Sequence, residues 1–322
     1  MNLGAAMTLL FTHEACLSHD VGPTHPERPA RLEALNSAFA VAAFDRLDRR
    51  EAPKATIEQI ARMHPRAHVE RMLAAVPESG LVRLDGDTAM SPGSGEAALR
   101  AVGAVCAAVD TVIVGEASNA FCAGRPPGHH AEAETPMGFC LFNSVAIAAA
   151  HARAVHGLKR VAVMDFDVHH GNGTQAMFWD EPDLMYASTH QMPLYPGTGS
   201  RDERGAHGTI INAPLRSGAD GEAFRAQMTE IILPALDDFA PELLLISAGF
   251  DAHVNDPLAG LCFIEEDYAW ATRELVALAD RHAGGRVVSS LEGGYNLDAL
   301  AASAAAHVRV LMDASAGVIE LP

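Results

Sequence analysis

Cysteine is scarce in this chain and follows no pattern. The five residues (Cys16, Cys106, Cys122, Cys140 and Cys262) are widely spaced, odd in number and free of any CxxC pair. They suit reduced thiols in a cytosolic enzyme better than a disulfide framework. Basic residues are also in short supply: Lys plus Arg number 23 against 41 Asp plus Glu, a formal charge of −18. That balance argues against direct nucleic-acid binding and favours cationic partners, although many soluble enzymes are simply acidic. No uninterrupted apolar run is long enough to span a bilayer, since Asp110 breaks the stretch from Ala101 to Gly115. The apolar N-terminus lacks a basic segment and a cleavage pattern, so no signal peptide is expected. No repeat, low-complexity linker or compositional shift marks a boundary. The expectation is one domain over residues 1–322, cytoplasmic and away from membranes.

What is present suits a large core, with hydrophobic residues at 49% and charged residues at 20%. Strand-like apolar runs occur at Thr8–Phe11, Asn119–Arg125, Val161–Asp167, Asp183–Thr189, Leu243–Asp251 and Arg286–Leu291. Helical patterns lie between them at Gly95–Val114, Ser144–His156, Gly173–Trp179, Gly221–Phe239 and Glu265–His282. This alternation predicts βαβ units and an α/β fold with a mainly parallel sheet. Active sites in such sheets gather at the carboxyl ends of strands. Chemically distinctive residues follow the strand candidates repeatedly: Arg125 to His130, Asp165 to Asn172, Ser188 to His190, Gly249 to Asp251, and Glu292 to Tyr295.

The run Val161 to Asp167, continued by Val168 and His169, reads as a buried strand that delivers ligands to its end. Residues two apart share one face of a strand, so Asp167 and His169 can reach a single metal ion. A second apolar run ends likewise in Asp251. Two carboxylates and one imidazole leave a coordination position for water, the arrangement of a catalytic metal site. The residues therefore predict a metal-dependent hydrolase. His129 and His130 follow a Pro-Pro-Gly turn, and imidazoles titrate in the range that amide hydrolysis needs for a base and an acid. Histidines outside these motifs, His151 and His156 among them, show no second ligand spacing.

Seven ordered segments together resemble the histone deacetylase family, within the arginase-deacetylase fold. They are His25-Pro-Glu-Arg-Pro-Ala-Arg31, Arg125-Pro-Pro-Gly-His-His-Ala131, Gly138-Phe-Cys140 with Phe142-Asn143, Asp165 to Gln175, Tyr195-Pro-Gly-Thr-Gly199, Ser247-Ala-Gly-Phe-Asp251, and Leu291-Glu-Gly-Gly-Tyr-Asn296. Asn172 and Glu292 are similar to the class II branch and its bacterial relatives. The resemblance implies a single α/β domain around a roughly eight-stranded, mainly parallel sheet with helices on both faces.

It also implies roles. Zn²⁺ would be held by Asp167, His169 and Asp251, with Fe²⁺ or Co²⁺ compatible with the same donors. His129 would pair with Asp165, and His130, the expected general base and acid, with Asn172. Tyr295 would donate to the developing oxyanion. Phe139 and Tyr195 would line an acyl-lysine tunnel, Gly138 would offer a carbonyl to the substrate N–H, and Leu258 would stand at the gate. A structural K⁺ would lie among Asp165, Asp167, His169, Ser188 and Thr189. Arg31 corresponds to the arginine of an internal acetate channel, its alternative being a surface helix arginine. A dinuclear, arginase-like centre is disfavoured, because His170, Gly171, Asn172, Ala252 and His253 supply no second set of carboxylates. The expected substrate is an acylated lysine peptide or protein, or a small acylated amine. Two rivals stay open: an acetylpolyamine amidohydrolase and a non-catalytic acyl-lysine-binding protein. Oligomeric state is unknown from sequence.

Overall fold

Eight parallel strands share one sheet in the computed structural model, which describes residues 7–318. In chain order the strands are β1 (Thr8–Thr12), β2 (Asp48–Glu51), β3 (Val82–Arg83), β4 (Ala89–Met90), β5 (Asn119–Cys122), β6 (Val161–Asp165), β7 (Leu184–Gln191), β8 (Ile210–Leu215), β9 (Leu243–Ala248) and β10 (Val287–Leu291). The sheet order is β2-β1-β5-β10-β9-β6-β7-β8, with β3 and β4 forming a separate antiparallel pair. Every neighbouring pair in the large sheet is parallel. All eight carboxyl ends therefore lie along one rim.

Strands buried on both faces should read as apolar runs, and β6 (Val-Ala-Val-Met-Asp) and β9 (Leu-Leu-Leu-Ile-Ser-Ala) do so most fully. Along β6, Val161 and Val163 enter one core and Ala162 and Met164 the other. The first core is covered by the helices Ser94–Ile113 and Ser144–His156. The second is covered by Ala30–Phe39, Glu265–Ala283 and Leu297–Ser315. Among the described residues no helix is long and apolar enough to cross a membrane.

The structure corrects several expected boundaries. The ladders of β5, β6 and β9 stop at Cys122, Asp165 and Ala248, short of the expected ends. The residues beyond them are loops, which frees their side chains for the rim. The expected helix Gly221–Phe239 is two α segments, Gly221–Gln227 and Leu233–Phe239, joined by a π turn at Met228–Ile232. Pro234 explains this, since it has no N–H to donate and its ring crowds the carbonyl four residues back. Edge strand β2, with the sequence Asp-Arg-Arg-Glu, carries no apolar signal because alternate side chains face water.

Candidate functional site

The rim of β5, β10, β9, β6 and β7, five consecutive strands, gathers the distinctive loops. Beyond β6 the chain presents Asp167 and His169, and beyond β9 it presents Asp251. Ligand-type atoms of these three residues all lie within 4.8 Å of one another. His169 Nδ1 stands 3.2 Å from Asp167 Oδ1 and 3.1 Å from Asp251 Oδ2. The remaining carboxylate oxygens are fixed by backbone, Gly293 N–H donating to Asp167 Oδ2 and Val168 N–H to Asp251 Oδ1, both at 2.8 Å. Each carboxylate thus keeps one oxygen turned toward the imidazole. A Cβ at Gly249 would collide with Asp167, and one at Gly293 with Asp251, so the cluster depends on bare backbone there.

Asp165, Asp167, Asp251 and Glu292 are each at most 1% exposed. Burial, reinforced by Asp167, pushes Asp251 up to about 7, and burial raises Glu292 to about 7. Carboxyls packed this densely call for a cation, and two oxygens with one nitrogen fit a divalent transition metal. The three residues form a candidate metal centre.

The tandem histidines face it with different partners. His129 Nδ1–H donates to Asp165 Oδ2 at 2.9 Å. Burial opposes protonation of His129, but Asp165 and Asp167 outweigh it and raise the imidazole to about 10. His130 Nδ1 lies 2.9 Å from Asn172 Oδ1. The Asn172 amide has a fixed sense, because its nitrogen donates to Glu132 Oε1 at 2.9 Å. His130 must then donate from Nδ1, which leaves Nε2 with a free lone pair. Burial, with the charges of His129 and His169, holds His130 well below the ordinary histidine range. One imidazole is built to stay charged and its neighbour to stay neutral.

A cavity of about 190 Å³ leads to this cluster, lined by residues that include His130, Gly138, Phe139, Tyr195, Leu258 and Tyr295. Gly138 and Phe139 adopt positive φ of 56° and 68°, and a Cβ on Gly138 would strike the His130 ring. A phenylalanine held in the left-handed region marks strain at a functional wall. Tyr195 packs edge-on to His130 with centroids 5.1 Å apart, while Phe139 packs edge-on to Tyr295 at 5.9 Å. Burial pushes the Tyr295 phenol well above its usual range, so it is a hydrogen-bond donor.

The sequence profile of the histone deacetylase domain matches residues 25–311. The chain belongs to the histone deacetylase family. Histone deacetylase 14, chloroplastic, of Arabidopsis thaliana is 40% identical over 94% of this chain and 76% of its own length. The histone deacetylase-like amidohydrolase of Pseudomonas aeruginosa is 39% identical over 90% of this chain and 82% of its own. The crystal structure of the HDA15 HD domain superposes with a TM-score of 0.90 at 32% identity, covering 99% of this chain and 94% of that one. The fold is the arginase-deacetylase fold of this family, and the protein is a hydrolase of the histone deacetylase type.

Several residues of this deacetylase-type rim had no role in the sequence reading. Tyr186 donates to Asp165 Oδ2 at 3.1 Å and accepts the Gly171 N–H at 2.8 Å; its place on one strand face with Ser188 and His190 was the available signal. Glu132 and Asp87, the latter lining the cavity and accepting the Gly138 N–H at 3.1 Å, sit in loops without periodicity and gave none. Arg31 is fully buried, which overturns the surface alternative, and its guanidinium donates to the carbonyls of Gly294 and Glu292 at 2.6 and 2.5 Å.

Arg31 and Arg125 share the buried carboxylate of Glu27. Arg125 grips it with two bonds of 2.5 and 2.7 Å, and Arg31 with one of 3.0 Å. Removing one partner of a buried ion network leaves uncompensated charge, which costs about 3–5 kcal/mol. Glu27→Ala is expected to lose stability on that scale in denaturant unfolding. A loss no larger than that of a surface substitution would contradict this account.

A second His–carboxylate group, Asp110 with His151 and His156, was not visible in the spacing. Both Nε2 atoms donate to Asp110 Oδ1, at 2.7 and 2.6 Å, and Arg62 donates to His151 Nδ1 at 3.1 Å. The His151 lone pair is thus taken by Arg62, so the group is a hydrogen-bonded cluster and not an ion site.

Proposed function

We propose that the chain, residues 1–322 acting as one catalytic domain, is a mononuclear zinc-dependent amidohydrolase that removes acetyl or related acyl groups from lysine side chains. The observation that carries this reading is the convergence of the Asp167, His169 and Asp251 cluster with a neutral His130 and with Tyr295 in one narrow cavity. A divalent cation held by those three residues would supply a Lewis acid for the amide carbonyl and lower the pKa of water. The chain's own groups account for the rest.

Phe139 and Tyr195 flank the alkyl stem of the acylated lysine, and the Gly138 carbonyl accepts a substrate N–H. His130 Nε2 takes a proton as the water oxygen bonds to the amide carbon. Tyr295 donates to the carbonyl oxygen as negative charge grows on it. His130 then returns its proton to the departing nitrogen as the C–N bond breaks, and the second water proton leaves with the products, which part as carboxylate and ammonium. His129, held charged by Asp165, stabilises the negative transition state without exchanging protons. Asn172 keeps the His130 tautomer correct. A non-catalytic acyl-lysine-binding role is disfavoured because every one of these positions is filled.

A structural K⁺ fits behind the centre. Asp165 pairs in register with Ser188 across β6 and β7, and Thr189 Oγ1 is buried without a hydrogen-bond partner. Together with Asp167 and His169 these residues offer the oxygen-rich surroundings that a hard cation takes. Cytoplasmic residence and the absence of a nucleic-acid or membrane partner belong to the same proposal.

The decisive experiment measures metal content and turnover of acetyl-lysine peptides, longer acyl-lysine peptides and acetylated polyamines side by side. Leu258 lines the cavity and carries no charge, so it cannot pair with the distant ammonium of a polyamine. Acyl-lysine peptides are expected to show the higher kcat/KM, and Leu258→Glu to shift the ratio toward polyamines. Faster hydrolysis of acetylspermidine than of every lysine peptide by the wild type would overturn the substrate assignment.

A further inference from the structure

Asp256 has no part in the chemistry above, yet its carboxylate is buried where the two loops carrying Leu258 and Tyr295 meet. Its Oδ2 accepts the backbone N–H of Tyr295 at 2.7 Å and that of Asn296 at 3.2 Å. Its Oδ1 accepts the backbone N–H of Leu258 at 3.0 Å. The Asp256 N–H is itself tied to the His253 carbonyl at 2.8 Å. Three backbone donors from two loops thus close on one carboxylate.

The need for such an anchor follows from the local sequence. Tyr295 comes directly after Gly293 and Gly294, and Gly294 has a φ of +122° that only glycine adopts freely. Two glycines allow the close approach to Asp251, but they leave the backbone ahead of Tyr295 little rigidity of its own. The ring is bounded by the Arg31 guanidinium, 4.9 Å from its centroid, and by Phe139. Arg31 also holds the carbonyls of Glu292 and Gly294, which leaves the N–H groups of Tyr295 and Asn296 to Asp256.

We infer that Asp256 is a positioning residue that holds Tyr295 and the gate residue Leu258 as one unit, so that hydroxyl placement and gate width are set together. This rests on the reading of Tyr295 as the oxyanion donor. A purely structural aspartate, stabilising its own turn, would change stability and would slow turnover whether or not the tyrosine hydroxyl is present.

The test is a double-mutant cycle on the full, metal-replete chain, combining Asp256→Ala with Tyr295→Phe and using an acetyl-lysine peptide and acetylspermidine. Misplacement of a reacting group by about 1 Å can cost about 10²-fold, so Asp256→Ala is expected to lower kcat by about 10- to 100-fold. KM for the peptide and bound metal should stay close to wild type. Added to Tyr295→Phe, the same change should cost less than about threefold, because the group it positions is already gone. Asp256→Ala should also alter the ratio of kcat/KM values for the two substrates, since Leu258 loses its anchor. Asp256→Asn, which keeps one acceptor oxygen, should fall between alanine and wild type.

Equal slowing of the wild type and of Tyr295→Phe would overturn the inference. So would failure of both Asp256 variants to fold with metal bound, which would make the residue a part of the fold alone. Should Tyr295→Phe itself turn over at the wild-type rate, the oxyanion reading fails instead. The substrate ratio then still decides whether Asp256 anchors the gate, and an unchanged ratio sinks that half as well.

Discussion

Replacing Asp251 with alanine is expected to strip the metal from the protein and abolish amide hydrolysis together. A site with three protein ligands loses one of them, and no neighbouring carboxylate can take its place. Asp165 is engaged with His129 and Tyr186, and Glu292 accepts the N–H groups of Gly128 and His129. Glu292 and Asp165 therefore stay where they are when Asp251 goes. His130→Ala should separate the two effects, keeping the metal while losing turnover, since His130 Nε2 is the proposed proton acceptor and the residue is not among the three of the cluster. Elemental analysis of the purified variants, read beside kcat, distinguishes the two. Full zinc occupancy in Asp251→Ala would show that the coordination set is wrong.

The parts of the fold that spoke through the sequence are those where one physical signal dominated. Central strands such as β6 and β9 are buried on both faces, so their apolar runs are unbroken and their ends are marked by Asp165 and Ser247-Ala248. The polar edge strand β2 and the two-residue strands β3 and β4 have no such signal, because only Met90 among their residues is fully buried. The helix Leu297–Ser315 is different. Its buried residues Leu300, Ser303, Ala304, His307, Val308 and Leu311 follow helical spacing, and Asn296 caps it by accepting the Ala299 N–H. The period was there, blurred by the near-uniform small apolar composition of the segment.

For the candidate site, loops after strands advertised residues whose chemistry is rare in a core, hence Asp167, His169, Asp251 and the tandem histidines. Residues that act on those residues stayed silent. Glu132 orients Asn172 from a loop with no periodicity, and Glu27, bound to Arg31, also holds Arg125, 98 residues from Glu27 in sequence. Asp256 lies two residues from the gate position, yet its bonds to Tyr295 and Asn296, 39 and 40 residues away, appear only in the fold. Such pairings are made by tertiary packing, and no local pattern records them.

Tyr295→Phe is expected to leave fold and metal content unchanged while lowering kcat by about 10²–10³-fold, the usual loss when one oxyanion donor is removed. The phenyl ring should keep its place, because its contacts to Arg31 and Phe139 involve the ring and not the hydroxyl. KM should therefore change little, and the loss should appear almost wholly in kcat, as for a bond formed only in the transition state. In free energy the expected penalty is about 3–4 kcal/mol. The phenol has the right protonation state for this task, since burial holds its pKa well above the normal range and it can donate at any pH the enzyme meets. Steady-state kinetics on an acetyl-lysine peptide, with metal analysis of the same preparation, check the expectation. Near-normal turnover by this variant would remove Tyr295 from the mechanism and leave charge stabilisation to His129 and the metal centre.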